Sequence, residues 1–150
     1  MEAQKKRVMV VDDNITNLNA CIFALMDQFD VIPATSAEKM FKLLTRVRPD
    51  LILLDVEMPG TGGHEALRAL RESGGHSDIQ VIFMTATNDA RTTDEGLELG
   101  ALDYMFKPFS RRLLIRRLEN YLELLDYRRG GGRGGDGRPP LPAGRPSPPE

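Results

Sequence analysis

Five short apolar runs, separated by longer segments with helical spacing, constrain the fold of this chain more than any other feature of its sequence. The runs occupy residues 8–11, 31–34, 51–54, 81–84 and 102–106. They are apolar at consecutive positions instead of alternate ones, a pattern typical of strands that helices cover on both faces. The runs therefore predict five buried strands.

The segments between the runs carry apolar residues at the spacing of amphipathic helices. The segment at 90–99 has the weakest stripe, with Leu97 and Leu99 as its large apolar residues, so we expect a poorly anchored fourth helix. Strict alternation of strands and helices implies parallel strands joined by right-handed crossovers. The predicted fold is a three-layer, doubly wound α/β domain with one five-stranded sheet.

The chain length and the change in composition near the C-terminus predict one globular domain followed by a tail. A chain of 150 residues with 41% hydrophobic content can bury a self-sufficient core. We expect that domain to occupy residues 5–127. Residues 128–150 are rich in Gly, Pro and Arg and have almost no residues able to form a core, so we expect them to be disordered.

Charge and cysteine content narrow the range of partners and compartments. The formal net charge is -2, and residues 128–150 hold five Arg against one Asp and one Glu, which leaves about -5 for the rest. An acidic globular part argues against direct DNA binding. The single cysteine, Cys21, excludes an internal disulfide and fits a reducing compartment. Because no apolar run is long enough to cross a bilayer, we predict a cytoplasmic protein that does not insert into membranes.

Polar residues follow the predicted strands at the point where each strand ends. The first strand is followed by Asp12 and Asp13, the third by Asp55, the fourth by Thr85 and the fifth by Lys107. In a parallel sheet the carboxyl ends of all strands lie at one edge, where open α/β folds build their sites. We therefore expect these five side chains to lie near one another.

The chemistry of this set predicts a magnesium site that receives a phosphoryl group. Three clustered carboxylates repel one another unless some are protonated or a cation lies among them. Mg²⁺ prefers carboxylate, water and phosphate oxygens, so Asp12, Asp13 and Asp55 are suitable ligands. The Lys107 ammonium and the Thr85 hydroxyl are suited to hold phosphoryl oxygens.

Each motif taken alone also has a structural interpretation. Asp12, Asp13 and Asn14 could cap the first helix, and Asp55 could begin a turn. Lys107 could be a surface lysine. The functional prediction therefore depends on the combination of residues. The two histidines, His64 and His76, are expected to be solvated and to lie away from the sheet edge that carries the aspartates.

Four separated motifs resemble the receiver domains of bacterial response regulators. These are VDDN at 11–14, DVEMPG at 55–60, MTA at 84–86 and GALDYMFKPF at 100–109. The resemblance spans about residues 6–126. It implies a flavodoxin-like sheet with the strand order 2-1-3-4-5.

The resemblance also implies a phosphoacceptor and a metal site. Asp55 would accept a phosphoryl group from the phosphohistidine of a sensor histidine kinase or from a phosphotransfer protein. Lys107 would contact that group, and its peptide bond to Pro108 would be cis. Mg²⁺ would be held by Asp12, Asp13, Asp55 and the backbone carbonyl of Glu57.

Thr85 and Tyr104 match the family's switch pair. The resemblance implies that phosphorylation draws the Thr85 hydroxyl toward the phosphoryl oxygens and moves the Tyr104 ring inward. The output surface would comprise the fourth helix, the fifth strand and the fifth helix, and could support a homodimer. The output itself would be a downstream effector protein or a lost output domain. The chain would be a signalling phosphoacceptor that promotes its own phosphorylation and dephosphorylation, not an enzyme.

Two other classes compete with this interpretation. A haloacid-dehalogenase-like phosphatase would use Asp12 as its nucleophile, but the position of its general acid is occupied by Asn14, whose amide cannot serve as that acid. A flavodoxin-like cofactor binder needs a Ser/Thr/Gly-rich phosphate cradle after the first strand, where this chain has adjacent aspartates. The position of the covalent phosphate, Asp12 or Asp55, separates the phosphatase from the receiver.

Overall fold

A computed structural model describes residues 4–87 and 89–129, and in these ranges strands and helices alternate as predicted. The strands are β1 (Arg7–Val11), β2 (Asp30–Ala34), β3 (Leu51–Asp55), β4 (Val81–Thr85) and β5 (Asp103–Phe106). The helices are α1 (Ile15–Leu25), α2 (Ala37–Leu44), α3 (Gly63–Glu72), α4 (Ala90–Glu98) and α5 (Arg111–Arg129). Each strand begins and ends within one residue of its predicted apolar run.

The five strands form one parallel sheet in the order β2-β1-β3-β4-β5. Val8 of β1 lies opposite Val31 on one side and Leu51 on the other. On the far side of β3, Asp55 lies opposite Met84 of β4. The doubly wound α/β class and the flavodoxin-like order 2-1-3-4-5 are confirmed.

The core lies on both faces of the central strands. All five residues of β3 and all five of β4 are buried. Alternate residues of the central strands, such as Ile52 and Phe83, join Met40 of α2 and Leu67 of α3 in one apolar cluster. A fully buried Leu or Phe contributes about 1.5–3 kcal/mol relative to an exposed one, so consecutive apolar residues suit these strands. This burial holds the polar strand ends in place.

Three helices begin at side chains that cap their free backbone amides. Asn14 accepts a hydrogen bond from the Asn17 amide at 3.0 Å and opens α1. Ser36 opens α2 in the same way, and Asp89 opens α4 through the amide of Arg91. Such side chains stabilise a helix N-terminus by about 1 kcal/mol.

Helix α4 has little apolar burial, as its sequence predicts. Gly96 is its one buried residue, while Leu97 is 43% exposed. An element with few buried contacts is held at a low local free energy of opening. The attachment of α4 therefore depends on a few specific contacts.

By its internal contacts the chain divides into two compact units, Met1–Arg111 and Arg112–Glu150. In the part that the structure describes, the first unit contains the whole sheet and α1 to α4, and the second contains α5 from Arg112 onward. Helix α5 continues to Arg129, two residues past the predicted boundary at 127. The remainder of the predicted tail, 130–150, lies outside the described residues.

Within residues 4–87 and 89–129, none of the helices combines the length and the apolarity needed to cross a bilayer.

Candidate functional site

The backbone hydrogen bonds of the sheet continue past the strand ends and position the polar residues there. The amide of Asp12 donates to the carbonyl of Ala34 at 3.1 Å, and the amide of Lys107 donates to the carbonyl of Thr85 at 2.8 Å. The sheet therefore fixes the first residues beyond β1 and β5. Since these positions are set by the sheet ladder, they are held more rigidly than ordinary loop residues.

Three aspartates and one lysine meet at this edge. Oxygens of Asp12, Asp13 and Asp55 lie within 4.8 Å of one another. Lys107 Nζ donates to Asp12 Oδ2 at 2.9 Å and to Asp55 Oδ1 at 3.3 Å. Asp12 and Asp55 are buried, whereas Asp13 is exposed. The structure therefore brings four of the five predicted residues into one contiguous set.

The carboxylates of this set differ in their remaining contacts. Asp12 uses both oxygens, because its Oδ1 also accepts the Asn14 amide at 2.9 Å. Asn14, not Asp12 or Asp13, caps α1 through its side chain. The capping interpretation of this motif is thus correct for Asn14, while Asp12 points its second oxygen at Lys107.

Burial and neighbouring charges together raise the pKa values of both Asp55 and Lys107. Burial, with a further contribution from the Asp12 carboxylate, raises the pKa of Asp55 to about 6, although Lys107 and a backbone hydrogen bond from Glu57 oppose the shift. Burial lowers the pKa of Lys107, but the hydrogen bonds and charges of Asp12 and Asp55 outweigh it and raise that pKa overall. Excess negative charge is therefore compensated only in part by one ammonium.

The chemistry of this donor set fits a hard divalent cation. Carboxylate oxygens at this spacing are the ligands that Mg²⁺ prefers, and they repel one another without a cation. Asp12, Asp13 and Asp55 are the residues that could hold it. The predicted contribution of the Glu57 carbonyl stays a prediction.

Thr85 lies fully buried at the end of β4, at the same edge of the sheet. Its hydroxyl oxygen accepts a hydrogen bond from the Thr87 amide at 3.0 Å. The Thr87 hydroxyl in turn donates to the carboxylate of Glu57, which follows β3. The segments after β3 and β4 are therefore linked by side chains beside the aspartates.

The predicted cis peptide bond between Lys107 and Pro108 is confirmed.

The prediction of two solvated histidines is wrong. His64 is the second residue of α3, and its Nε2 lies 2.7 Å from the hydroxyl of Tyr104. His76 Nε2 lies 3.0 Å from the Leu44 carbonyl. Both rings are partly buried and hydrogen-bonded. Tyr104 and Leu44 lie 40 and 32 residues away along the chain, so no local sequence signal reveals these two contacts, although His76 Nδ1 also lies 3.2 Å from the nearby Ser73 hydroxyl.

Tyr104 is buried against an aromatic neighbour and the backbone of α4. Its ring lies 5.1 Å from that of Phe83, and its hydroxyl donates to the carbonyl of Thr92 at 2.7 Å. Burial is the main reason that the pKa of the Tyr104 phenol rises to about 12. The sequence identified Tyr104 as a candidate but not the contacts that hold it.

Comparison with known proteins identifies the class that this fold and site define. The family described as "Response regulator receiver domain" matches residues 8–119. The chain belongs to this family.

Curated relatives share this region. The chain is 38% identical over 128 residues to "Probable transcriptional regulator ycf27" of Cyanophora paradoxa, covering 80% of this chain and 52% of that protein. It is 36% identical over 118 residues to the "Phosphate regulon transcriptional regulatory protein PhoB" of Pseudomonas aeruginosa, covering 78% and 52%. The chain thus spans about half the length of these relatives.

Solved structures share the whole fold. A response regulator from Thermotoga maritima superposes with a TM-score of 0.72 at 30% identity, covering 80% of this chain and 99% of that one. The likeness extends over nearly all of that chain and agrees with the strand order described above.

Proposed function

We propose that Asp55 is the phosphoacceptor of this receiver domain and that a phosphohistidine of a sensor histidine kinase or phosphotransfer protein is its donor. The observation that carries the proposal is the contact of Lys107 Nζ with the carboxylates of both Asp12 and Asp55, within a cluster of three aspartates. A carboxylate beside a cation and further acidic ligands is the arrangement that phosphoryl transfer requires.

In the proposed reaction an oxygen of Asp55 attacks phosphorus and forms a P–O bond as the P–N bond of the donor breaks. The electron pair of the P–N bond stays on the leaving imidazole nitrogen, which takes up a proton from solvent. Lys107 neutralises charge on one phosphoryl oxygen. The Thr85 hydroxyl, whose oxygen accepts from the Thr87 amide, donates its own proton to another. Bound Mg²⁺, held by Asp12, Asp13, Asp55 and the Glu57 carbonyl, would supply charge neutralisation.

Switching is proposed to follow from the two residues that match the family's pair. Thr85 ends β4 and Tyr104 lies in the neighbouring strand β5, so movement after β4 can reach the aromatic ring. The α4-β5-α5 surface would then change its affinity for a downstream effector, for an output domain or for a second copy of the chain. Such a change is a population shift between two packings.

The domain limits and the setting are also proposals. The family match reaches residue 119, within α5, and supports a receiver domain over 5–127. The transcriptional relatives named above bear on the whole protein's output only as a guide, because this chain covers about half of each. We place its action in the cytoplasm as a signalling phosphoacceptor that promotes its own phosphorylation and dephosphorylation and does not itself bind DNA.

Incubation with acetyl phosphate and Mg²⁺, followed by intact mass and peptide mapping, tests the proposal. We expect one hydroxylamine-labile phosphate on Asp55. It should not form in Asp55→Asn or when a chelator is present during the reaction. Phosphate on Asp12 would instead support the haloacid-dehalogenase-like alternative. Asp12 has no exposed surface and uses both oxygens, which suits a ligand better than a nucleophile.

A further inference from the structure

His64, Tyr104 and Thr92 form a hydrogen-bonded chain that joins three elements of the first unit. His64 belongs to α3, Tyr104 to β5 and Thr92 to α4. The Tyr104 hydroxyl oxygen lies 2.7 Å from His64 Nε2 and 2.7 Å from the carbonyl oxygen of Thr92. The chain therefore connects α3 with α4 through the ring of the proposed switch residue.

The direction of these hydrogen bonds follows from the number of protons. The Tyr104 hydroxyl has one proton, and the Thr92 carbonyl can only accept, so that proton is donated to Thr92. The hydroxyl oxygen can then only accept from His64, which requires a proton on Nε2. His64 is thus a donor, a role that an apolar residue cannot fill.

The space for the ring is provided by a glycine. A Cβ atom built on Gly96 of α4 would lie 2.0 Å from the Tyr104 hydroxyl and 2.8 Å from the Phe83 ring. Phe83 also contacts His64 edge-on, with ring centroids 5.0 Å apart. The ring of Tyr104 therefore occupies a receptacle formed by His64, Phe83, Thr92 and Gly96, called the tyrosine receptacle below.

We propose that His64 is a positioning residue that holds Tyr104 in this inward position. The inference rests on the proposed switch role of Tyr104. The contacts of the tyrosine receptacle come from α3, β4 and α4 and use none of the residues Asp12, Asp13, Asp55 or Lys107. The inward position therefore has its own source of stability, separate from phosphorylation, and His64 sets the balance between inward and outward rings before any phosphoryl group arrives.

Fluorine NMR of protein labelled with 3-fluorotyrosine measures the position of the ring directly. The chain has three tyrosines, and Tyr104→Phe assigns the relevant resonance. Broadening of that resonance by a soluble paramagnetic probe reports its exposure. The Tyr104 ring is already inward without a phosphoryl group, since it is 4% exposed, so we expect a protected resonance in the unphosphorylated wild type. Phosphorylation would strengthen this inward preference instead of creating it.

His64→Leu removes the hydrogen-bond donor and replaces the imidazole with an apolar side chain of similar size. We expect its inward-to-outward ratio to fall about fivefold, which corresponds to one hydrogen bond of about 1 kcal/mol. His64→Gln retains an N–H donor and should restore part of the protection. His76→Leu, which removes the other hydrogen-bonded histidine, is the matched control and should leave the Tyr104 resonance unchanged.

The two proposals fail in different ways. Equal protection of Tyr104 in wild type and His64→Leu, with both proteins folded by circular dichroism, would overturn the positioning role of His64. So would His64→Gln behaving like His64→Leu while His76→Leu shifts the same resonance. Intact mass on the same samples after acetyl phosphate treatment reports Asp55 separately, so an unphosphorylated Asp55 would refute the proposed function without affecting the measurement on unphosphorylated protein.

Discussion

Two regions of the same compact unit are stabilised by different interactions. They are the tyrosine receptacle and the acidic edge, which is formed by Asp12, Asp13, Asp55 and Lys107. At the acidic edge, charges dominate, and Lys107 compensates Asp12 and Asp55 only in part. In the tyrosine receptacle, neutral hydrogen bonds and close packing hold Tyr104. The first arrangement gains stability when a cation neutralises its excess negative charge, whereas the second is satisfied by its own residues.

This difference separates chemistry from response. Substitutions at the acidic edge should change phosphorylation and its pH dependence strongly, and substitutions in the receptacle should change the position of Tyr104 with little effect on the chemistry. A variant in one region that alters the behaviour of the other would show that the two regions are coupled.

Lys107→Met should reduce the rate of phosphorylation by acetyl phosphate and Mg²⁺ about 100-fold, the usual effect of removing one charge-stabilising donor. The side chain keeps its length but loses the ammonium that contacts Asp12 and Asp55. Lys42→Met, an exposed lysine on α2, is the charge-matched control. A Lys107→Met protein phosphorylated within threefold of wild type would contradict the assignment of Lys107.

Asp55→Asn should stabilise the metal-free protein at pH 7.5. The pKa of Asp55 is about 6 in the folded protein against an ordinary value of 3.8, so the stability linked to its protonated form is present below about pH 4 and is lost as the pH rises through about 6. An amide avoids that loss, worth up to about 3 kcal/mol. Losing the hydrogen bond from Lys107 removes about 1 kcal/mol of the gain.

Urea unfolding at pH 4 and pH 7.5 in the presence of chelator measures this effect. We expect Asp55→Asn to exceed wild type by about 1–2 kcal/mol at pH 7.5 and by less at pH 4. Asp94→Asn, which removes an exposed carboxylate of α4, is the matched control. Added Mg²⁺ should narrow the difference. If wild type and Asp55→Asn had equal unfolding free energies at both pH values, ionisation of Asp55 would not destabilise the folded protein.

Gly96→Ala should expel the Tyr104 ring while leaving the rate of phosphorylation within about twofold of wild type. Overpacking costs about 1–3 kcal/mol, and the better helix propensity of Ala returns about 1 kcal/mol, so we expect a net loss of about 1 kcal/mol. Fluorine NMR and urea unfolding check the two effects. Gly74→Ala, where an added Cβ meets no atom within 4 Å, is the control. A tenfold loss of phosphorylation would show that the two regions are not separable.

Glu57→Asn should change the lifetime of the phosphoryl group by about twofold to threefold, since an exposed charge contributes about 0.5 kcal/mol. The Glu57 carboxylate accepts a hydrogen bond from Thr87 beside the proposed acceptor. Glu57→Gln removes the charge and keeps an acceptor, so comparing the two separates charge from hydrogen bonding. Identical dephosphorylation rates in all three proteins would exclude both effects.

Much of the fold was predictable because its signals are local and repeated. Consecutive apolar residues such as those at 51–54 suit a strand buried on both faces, and alternation with helices leaves few topologies. Asp12, Asp55 and Lys107 could be grouped before their geometry was known, since the carboxyl ends of parallel strands meet at one edge. The strand order itself came from the family resemblance, not from this periodicity.

The tyrosine receptacle was not predictable in this way. His64 follows glycines and has the local signature of a surface histidine, yet its partner Tyr104 is 40 residues away. Gly96 lies within a helix, where glycine usually only weakens the element. Nothing in either local pattern indicates that one residue donates to an aromatic hydroxyl and the other makes room for its ring.

Periodicity and position at a strand end predicted the alternation of elements and the residues of the acidic edge, whereas the candidate switch residues came from the family resemblance. The tertiary structure alone decided which oxygens Lys107 contacts, how burial raises the pKa of Asp55, and that His64 holds Tyr104. Distances and desolvation depend on residues far apart in the chain being packed together, and no local pattern encodes them.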